Sequence, residues 1–263
     1  MAADDENLFD TRLMAGETAC MFLKQLKEEL KQLRNIIRRR IYVNPKVEAS
    51  IVDRFHTLYY DSVAFGKTWA KTTWFGTQVN KCPTDLWRYQ EILFELKPDL
   101  IIETGSAQGG SAHYMASICD LLGRGKVVSI DIDPGSNRPV HPRIEYITAS
   151  SIAPEVHARL SPLVAESKVV MVILDSDHSK AHVAKELAAF RDYVTVGSFL
   201  IVEDTNVNGH PVDPDFGPGP FEAVEDFLRE NNQFAIDREI EKFYITFNPN
   251  GYLRRIAPPA KQG

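Results

Sequence analysis

"DLIIETGSAQGGSAHYMASICD", residues 99–120, decides the fold: an apolar run of strand length ends at Glu103, glycines follow at 105, 109 and 110, and a helix-forming stretch begins at once. Glycines let the backbone turn tightly and approach a ligand closely, and the N-terminus of the following helix presents free N–H groups. The same strand-then-helix unit repeats downstream. Strand-like runs at 99–103, 127–131, 144–147, 169–174 and 198–202 alternate with helix-like segments at 110–122, 154–165, 180–190 and 219–230, the pattern of βαβ units and a mainly parallel sheet. The last stretch, "QFAIDREIEKFYITFNPNGYLRRI" (233–256), leaves no room for another helix of useful length. Strands near 234–237 and 242–247 are therefore expected as an antiparallel pair at an edge.

The 263 residues, 44% hydrophobic and 25% charged, suit one sizeable α/β core with an added N-terminal segment. A formal net charge of −6 argues against a nucleic-acid partner, because phosphate-backbone binders carry a basic excess. A small-molecule partner fits better. Cys20, Cys82 and Cys119 are odd in number, widely spaced and without a C-x-x-C pair, so reduced thiols are expected rather than disulfides or structural zinc. No run approaches the ~18 apolar residues of a membrane span; no membrane partner and a cytoplasmic location are expected.

Four regions follow. Residues 1–45 form an amphipathic arm, in which Phe22, Leu23, Leu26, Leu30, Leu33, Ile36 and Ile37 keep the three-and-four spacing of a helix over 17–41. Arg38, Arg39 and Arg40 suit its carbonyl end. Its apolar stripe can cover the protein's own body or another subunit, and a homo-oligomer is expected. Residues 46–98 are a helical, aromatic-rich cap, with "TTWFGTQVNKCPTDLW" as a loop and Thr84 or Asp85 capping the helix that runs through Leu96. Residues 99–256 form the cofactor-binding catalytic domain, and 257–263 a tail.

The glycine loop is not a dinucleotide fingerprint: Ala107 stands where G-x-G-x-x-G needs its second glycine, and an acid ends the strand, where it repels a pyrophosphate. A cationic cofactor tolerates that acid. The second strand, "KVVSIDID", ends in Asp131 and Asp133, and an acid there can accept both ribose hydroxyls of a nucleoside. Asp131 is preferred, Asp133 before Pro134 suiting a capping role. Loop, acid and order together point to S-adenosylmethionine, with Glu103, Gly105, Ser106, Gly109, Ser111, Asp131 and Ser150 as candidate contacts.

Two more strands end in acids. "VMVILDSDH" closes on Asp175 and "SFLIVEDT" on Glu203 and Asp204, and in an open parallel sheet ligands gather beyond such strand ends. Three carboxylates with water and substrate oxygens suit Mg²⁺, for which Mn²⁺ or Ca²⁺ can substitute. His178, three residues past Asp175, is the candidate general base, since imidazole accepts a proton near neutrality and a bound cation acidifies a hydroxyl. His182 reads as a helix-surface residue. The proline-rich stretch after Asp204 reads as a flap, with His210 and Phe216 as possible substrate contacts.

These strings resemble the cephalosporin hydroxylase and rhamnosyl O-methyltransferase family, similar to macrolide-sugar O-methyltransferases. The resemblance is carried by residues 82–120, by "GKVVSIDID", "VMVILDSDHSKAHVAKEL" and "VGSFLIVEDT", and by "REIEKFYITFNPNGYLRRI", and it covers about residues 50 to 256. It implies a Rossmann-like class I methyltransferase with a mainly parallel seven-stranded sheet and antiparallel C-terminal strands. It also implies cofactor contacts at Glu103, Gly105 and Asp131, metal ligation by Asp175, Glu203 and Asp204, and a base at His178. The expected activity is Mg²⁺-dependent O-methylation of a hydroxyl on a sugar or secondary metabolite. One rival is a 2-oxoglutarate-type Fe(II) hydroxylase using Asp175, His178 and His182. Another is a non-catalytic S-adenosylmethionine-binding protein.

Overall fold

The computed structural model describes residues 5–42 and 44–258, with side chains from Met21 to Arg40 and from Asn44 to Pro258. Most of the expected tail, and the side chain of Cys20, lie outside the described residues. The chain forms two compact units, Met1–Val52 and Asp53–Gly263. The first unit holds helix α1, Asp5–Tyr42, which starts well before the periodic stripe because good helix formers precede it. Helix α2, Pro45–Tyr60, crosses the boundary between the units.

The second unit is built on a seven-stranded sheet. Its strands are β1 Leu100–Thr104, β2 Lys126–Asp131, β3 Ile144–Thr148, β4 Val170–Leu174, β5 Phe199–Val202, β6 Phe234–Ile236 and β7 Tyr252–Arg255. In space they run 3-2-1-4-5-7-6, with β1 to β5 parallel, β7 antiparallel to β5 and β6 antiparallel to β7. Helices α3 Pro83–Leu96, α4 Gly110–Leu122, α5 Pro154–Glu166, α6 Lys180–Phe190 and α7 Pro220–Glu230 cover both faces. Residues at period two divide between those faces. Leu100, Ile102, Val172 and Leu174 join the core that also holds Val156, Leu160, Leu187 and Val224, whereas Ile101, Met171 and Ile173 join Tyr89, Leu93 and Met115 of α3 and α4. The order reverses between β1 and β4, which opens a crevice at their carboxyl ends.

Several expectations change. The final strand is 252–255 rather than 242–247, because the alternating "FYITF" backbone finds partners outside a ladder. Phe247 N–H donates to Asp85 Oδ2 at 2.8 Å, Phe247 O accepts from Asn206 N–H, and the Phe247 ring packs among His56, Tyr60 and Trp69. The same contact explains why neither Thr84 nor Asp85 caps α3. Cys82 holds the cap position without a side-chain bond, Thr84 Oγ1 donates to Ile245 O, and Asp85 also accepts from Tyr252 OH. Both side chains tie the helix start to the C-terminal segment. Residues 73–78, expected as loop, carry a two-residue hairpin, Thr73–Trp74 against Thr77–Gln78. The stretch after Asp204 is a folded loop, with Val207 and Val212 buried and Asn208 bonded to Gly217 N and Glu222.

Candidate active site

A cleft of about 690 Å³ opens at the carboxyl ends of β1, β2 and β4, within the range that holds a nucleoside and a small acceptor. One half of it is built from the glycine loop. Gly105 has φ +82°, and a Cβ there lies 1.8 Å from Asp175 O, so only glycine allows the end of β1 to sit against the end of β4. Gly105, Ser106, Gly110, Ser111, Asp131 and Ser150 all line the cleft. Asp131 lies at its edge as expected, but its carboxylate also holds the loop. Its Oδ2 accepts from the N–H groups of Ser106 and Ala107, both at 2.9 Å, and pairs with Arg138 at 3.2 Å, while Oδ1 accepts from Asp133 N–H. Asp133 accepts from Gly135 N–H in a turn and starts no helix.

Two of the expected cofactor contacts lie behind the cleft wall rather than on it. Gly109, in the left-handed conformation, is the cap residue of α4. Glu103 shares the sheet face of Ile101 and points beneath α4, fully buried, where the Ser111 and Ser129 hydroxyls donate to it. Burial pushes its carboxyl up to about 7 against the pull of Lys81.

The other half of the cleft carries the acids. Asp175, His178 and Asp204 offer ligand atoms that all lie within 4.8 Å of one another. His178 Nε2 is 3.3 Å from Asp204 Oδ2. Asp204 stands at φ +54° where β5 ends, with its N–H held by Asn248 Oδ1 at 3.0 Å, and Asp is among the side chains that tolerate this region. Burial, reinforced by the charges of Asp175 and Glu203, pushes the Asp204 carboxyl up to about 6 despite His178. Glu203 is not one of the converging three. It is buried and turned toward α3, where Lys81 Nζ lies 3.0 Å from its Oε1 and Tyr89 OH donates to the same oxygen.

Lys81 and Tyr89 are site residues that sequence reasoning missed. Lys81 Nζ also donates to Asp175 Oδ2 at 2.6 Å. Burial alone disfavours an ammonium, but Asp175, Glu203 and Glu103 outweigh it and hold Lys81 charged well above the usual lysine range. The only local sign was a lysine between Asn80 and Cys82 just before Pro83, inside a string read as loop.

The cleft is closed on one side by aromatics of the cap: Trp69 and Tyr60, stacked at 5.1 Å, line it, and Phe216 approaches from the loop after Asp204. His210 does not reach it, being stacked on Phe221 and bonded to Glu222. His182 lines the cleft but turns its Nε2 toward Ser151 and Glu186, at 3.4 and 3.5 Å, and lies outside the converging set. That leaves the two-histidine, one-carboxylate triad of a hydroxylase unassembled.

The profile of the family described as Rhamnosyl O-methyltransferase/CmcI matches residues 66–256. The chain belongs to the rhamnosyl O-methyltransferase/CmcI family. Relatives include the rhamnosyl O-methyltransferase of Mycobacterium tuberculosis (strain H37Rv), 40% identical over 215 residues that span 78% of this chain and 85% of the relative. That of Mycobacterium leprae is 39% identical over 238 residues, 87% and 99% of the two chains. Among solved structures, CmcI with Mg and S-adenosylmethionine aligns with TM-score 0.56 at 21% identity, covering 72% of this chain and 78% of that one. The apo CmcI structure gives 0.55 at 21%, covering 72% and 77%. These likenesses confirm the class I methyltransferase fold, and family membership makes the chain an S-adenosylmethionine-dependent O-methyltransferase.

Proposed function

We propose that this family member transfers the methyl group of S-adenosylmethionine to a hydroxyl of a sugar-bearing small molecule, with a divalent cation of the Mg²⁺ type at the acid half of the cleft. The rhamnosyl acceptors named for its relatives make a rhamnosyl unit the first acceptor to try. The observation that carries the reading is the convergence of Asp175, His178 and Asp204 on the rim of the same cleft that the glycine loop lines.

The residues fit a hard cation. Two of the three converging side chains offer carboxylate oxygens, and Asp175, Glu203 and Asp204 together face the single ammonium of Lys81. Asp175 and Asp204 would hold the ion, with Glu203 behind them on Lys81 and Tyr89. When bound, the ion lowers the pKa of an acceptor hydroxyl and orients it. His178 Nε2 takes the hydroxyl proton and passes it to solvent, and Asp204 beside it stabilises the imidazolium. The oxygen then attacks the sulfonium methyl in line, releasing S-adenosylhomocysteine, and much of the acceleration comes from holding the two reactants together. The glycine loop, with Asp131 and Ser150, lines the half of the cleft that would take the nucleoside. Trp69, Tyr60 and Phe216 keep water from the reacting atoms.

The test is incubation with methyl-labelled S-adenosylmethionine and rhamnosyl or other deoxyhexosyl acceptors, with Mg²⁺ and with EDTA. Label is expected in the acceptor only with the metal. Equal transfer in EDTA sinks the metal part of the reading, and a product that gains oxygen instead of methyl sinks all of it. The apolar row on α1, Phe22 to Ile37, is exposed and supports self-association of the chain, which light scattering of the full-length protein checks. No described helix is long and apolar enough to cross a membrane.

A further inference from the structure

Lys81 reaches the acid centre from the segment that leads into α3, and its side chain is 3% exposed. A lysine so enclosed is sustained only by charge partners, and here two lie within ion-pair distance. Its ammonium engages one oxygen of each, Oδ2 of Asp175 at 2.6 Å and Oε1 of Glu203 at 3.0 Å. Tyr89 OH donates to that same Glu203 oxygen. Each carboxylate thus has one oxygen pinned and keeps a second. A pinned carboxylate no longer rotates freely about its last side-chain bond, which is the freedom a ligand must give up on meeting a cation.

We propose that Lys81 is a positioning residue for the divalent centre: anchored on Glu203 and pinning Oδ2 of Asp175, its ammonium aims the remaining Asp175 oxygen at the ion and sets the affinity for it. The inference rests on the metal reading above and extends it to a cationic residue. Removing Lys81 has two effects of opposite sign. Loss of a positive charge beside the site favours a second cation, so a lysine that acts only through its charge, or that competes with the metal for these oxygens, weakens metal binding when present. Loss of outer-shell orientation weakens binding when the lysine is absent, by ~10–100-fold for comparable partners of metal ligands.

Lys81→Met keeps most of the side-chain volume and removes the ammonium. The variant and the wild type are titrated with MnCl₂ alone, free Mn²⁺ being read by electron paramagnetic resonance without acceptor, and each is then titrated with S-adenosylhomocysteine. The expected result is ~10–100-fold weaker Mn²⁺ binding in the variant, with S-adenosylhomocysteine affinity unchanged. Equal or tighter Mn²⁺ binding overturns the proposal, as does a parallel loss of both affinities, which indicates general disruption. Should the variant fail to fold, the wild type labelled with ¹⁵N-lysine gives the answer. The hydrogen-bonded ammonium signal of Lys81 is expected to persist at saturating MgCl₂, and its disappearance overturns the proposal by revealing a displaced competitor. Wild-type protein that takes up neither ion refutes the metal reading itself, an outcome visible before any variant is made.

Discussion

The two halves of the cleft are made differently. The cofactor half comes from one stretch of chain, strand–loop–helix plus the end of the next strand, and its polar groups satisfy one another: Asp131 accepts from the loop it faces, and Ser106 Oγ and Ser129 Oγ meet at 2.6 Å. The acid half gathers residues 81, 89, 175, 178, 203, 204 and 248 from five separate segments and carries more negative than positive charge. The contrast teaches that one half is a preformed cradle, whereas the other gathers carboxylates that the proposed cation would neutralise. Gly105 joins them, its missing side chain letting the loop rest on the backbone of Asp175.

The largest effect is expected at Asp175. Asp175→Ala abolishes methyl transfer yet leaves S-adenosylhomocysteine binding intact by calorimetry; retained turnover breaks the distinction between the halves. His178→Ala lowers kcat by ~10²–10⁴-fold, with Mn²⁺ uptake still measurable. Gly105→Ala strikes both halves, because its Cβ collides with Asp175 O at a backbone angle side chains rarely adopt. A loss on the order of 3 kcal/mol in urea unfolding is expected.

Glu103, beneath the junction of the halves, gives the pH test. Its folded carboxyl stands at about 7 against an ordinary 4.5, so the folded protein holds a proton that the unfolded chain releases. Burying the charged form costs stability above pH 7, and the cost fades as pH falls from 7 to 4.5. Glu103→Gln should therefore gain stability over wild type at pH 8 relative to pH 5, by on the order of 3 kcal/mol. An equal difference at both pH values counts against this burial effect. The smallest change is Asp131→Asn, which weakens S-adenosylhomocysteine binding about tenfold and leaves Mn²⁺ affinity untouched.

Most of the fold was legible because its information is local. β-Branched runs ending in acids marked β1, β2, β4 and β5, and the helices α4 to α7 fall within a residue of where periodicity placed them. The misplaced final strand shows the limit: "FYITF" has the alternation of a strand, but Asp85, some 160 positions away, takes one of its N–H groups. Within the site, His178 was legible from its place three residues beyond a strand-end acid. The direction of Glu203 was not, because two adjacent residues at a strand end point opposite ways, and which one meets the cleft depends on the turn that Asn248 holds.

The sequence by itself determined the alternating architecture, the glycine loop and the strand-end acids, since hydrophobic period and backbone permissiveness are properties of short stretches. Only the tertiary structure decided that Asp175 and Asp204 meet His178 while Glu203 turns to Lys81 and Tyr89. The reason is physical: the energy of a buried charge depends on which opposite charges lie within a few ångströms, and that proximity is created by packing α3 and its leading segment onto the sheet.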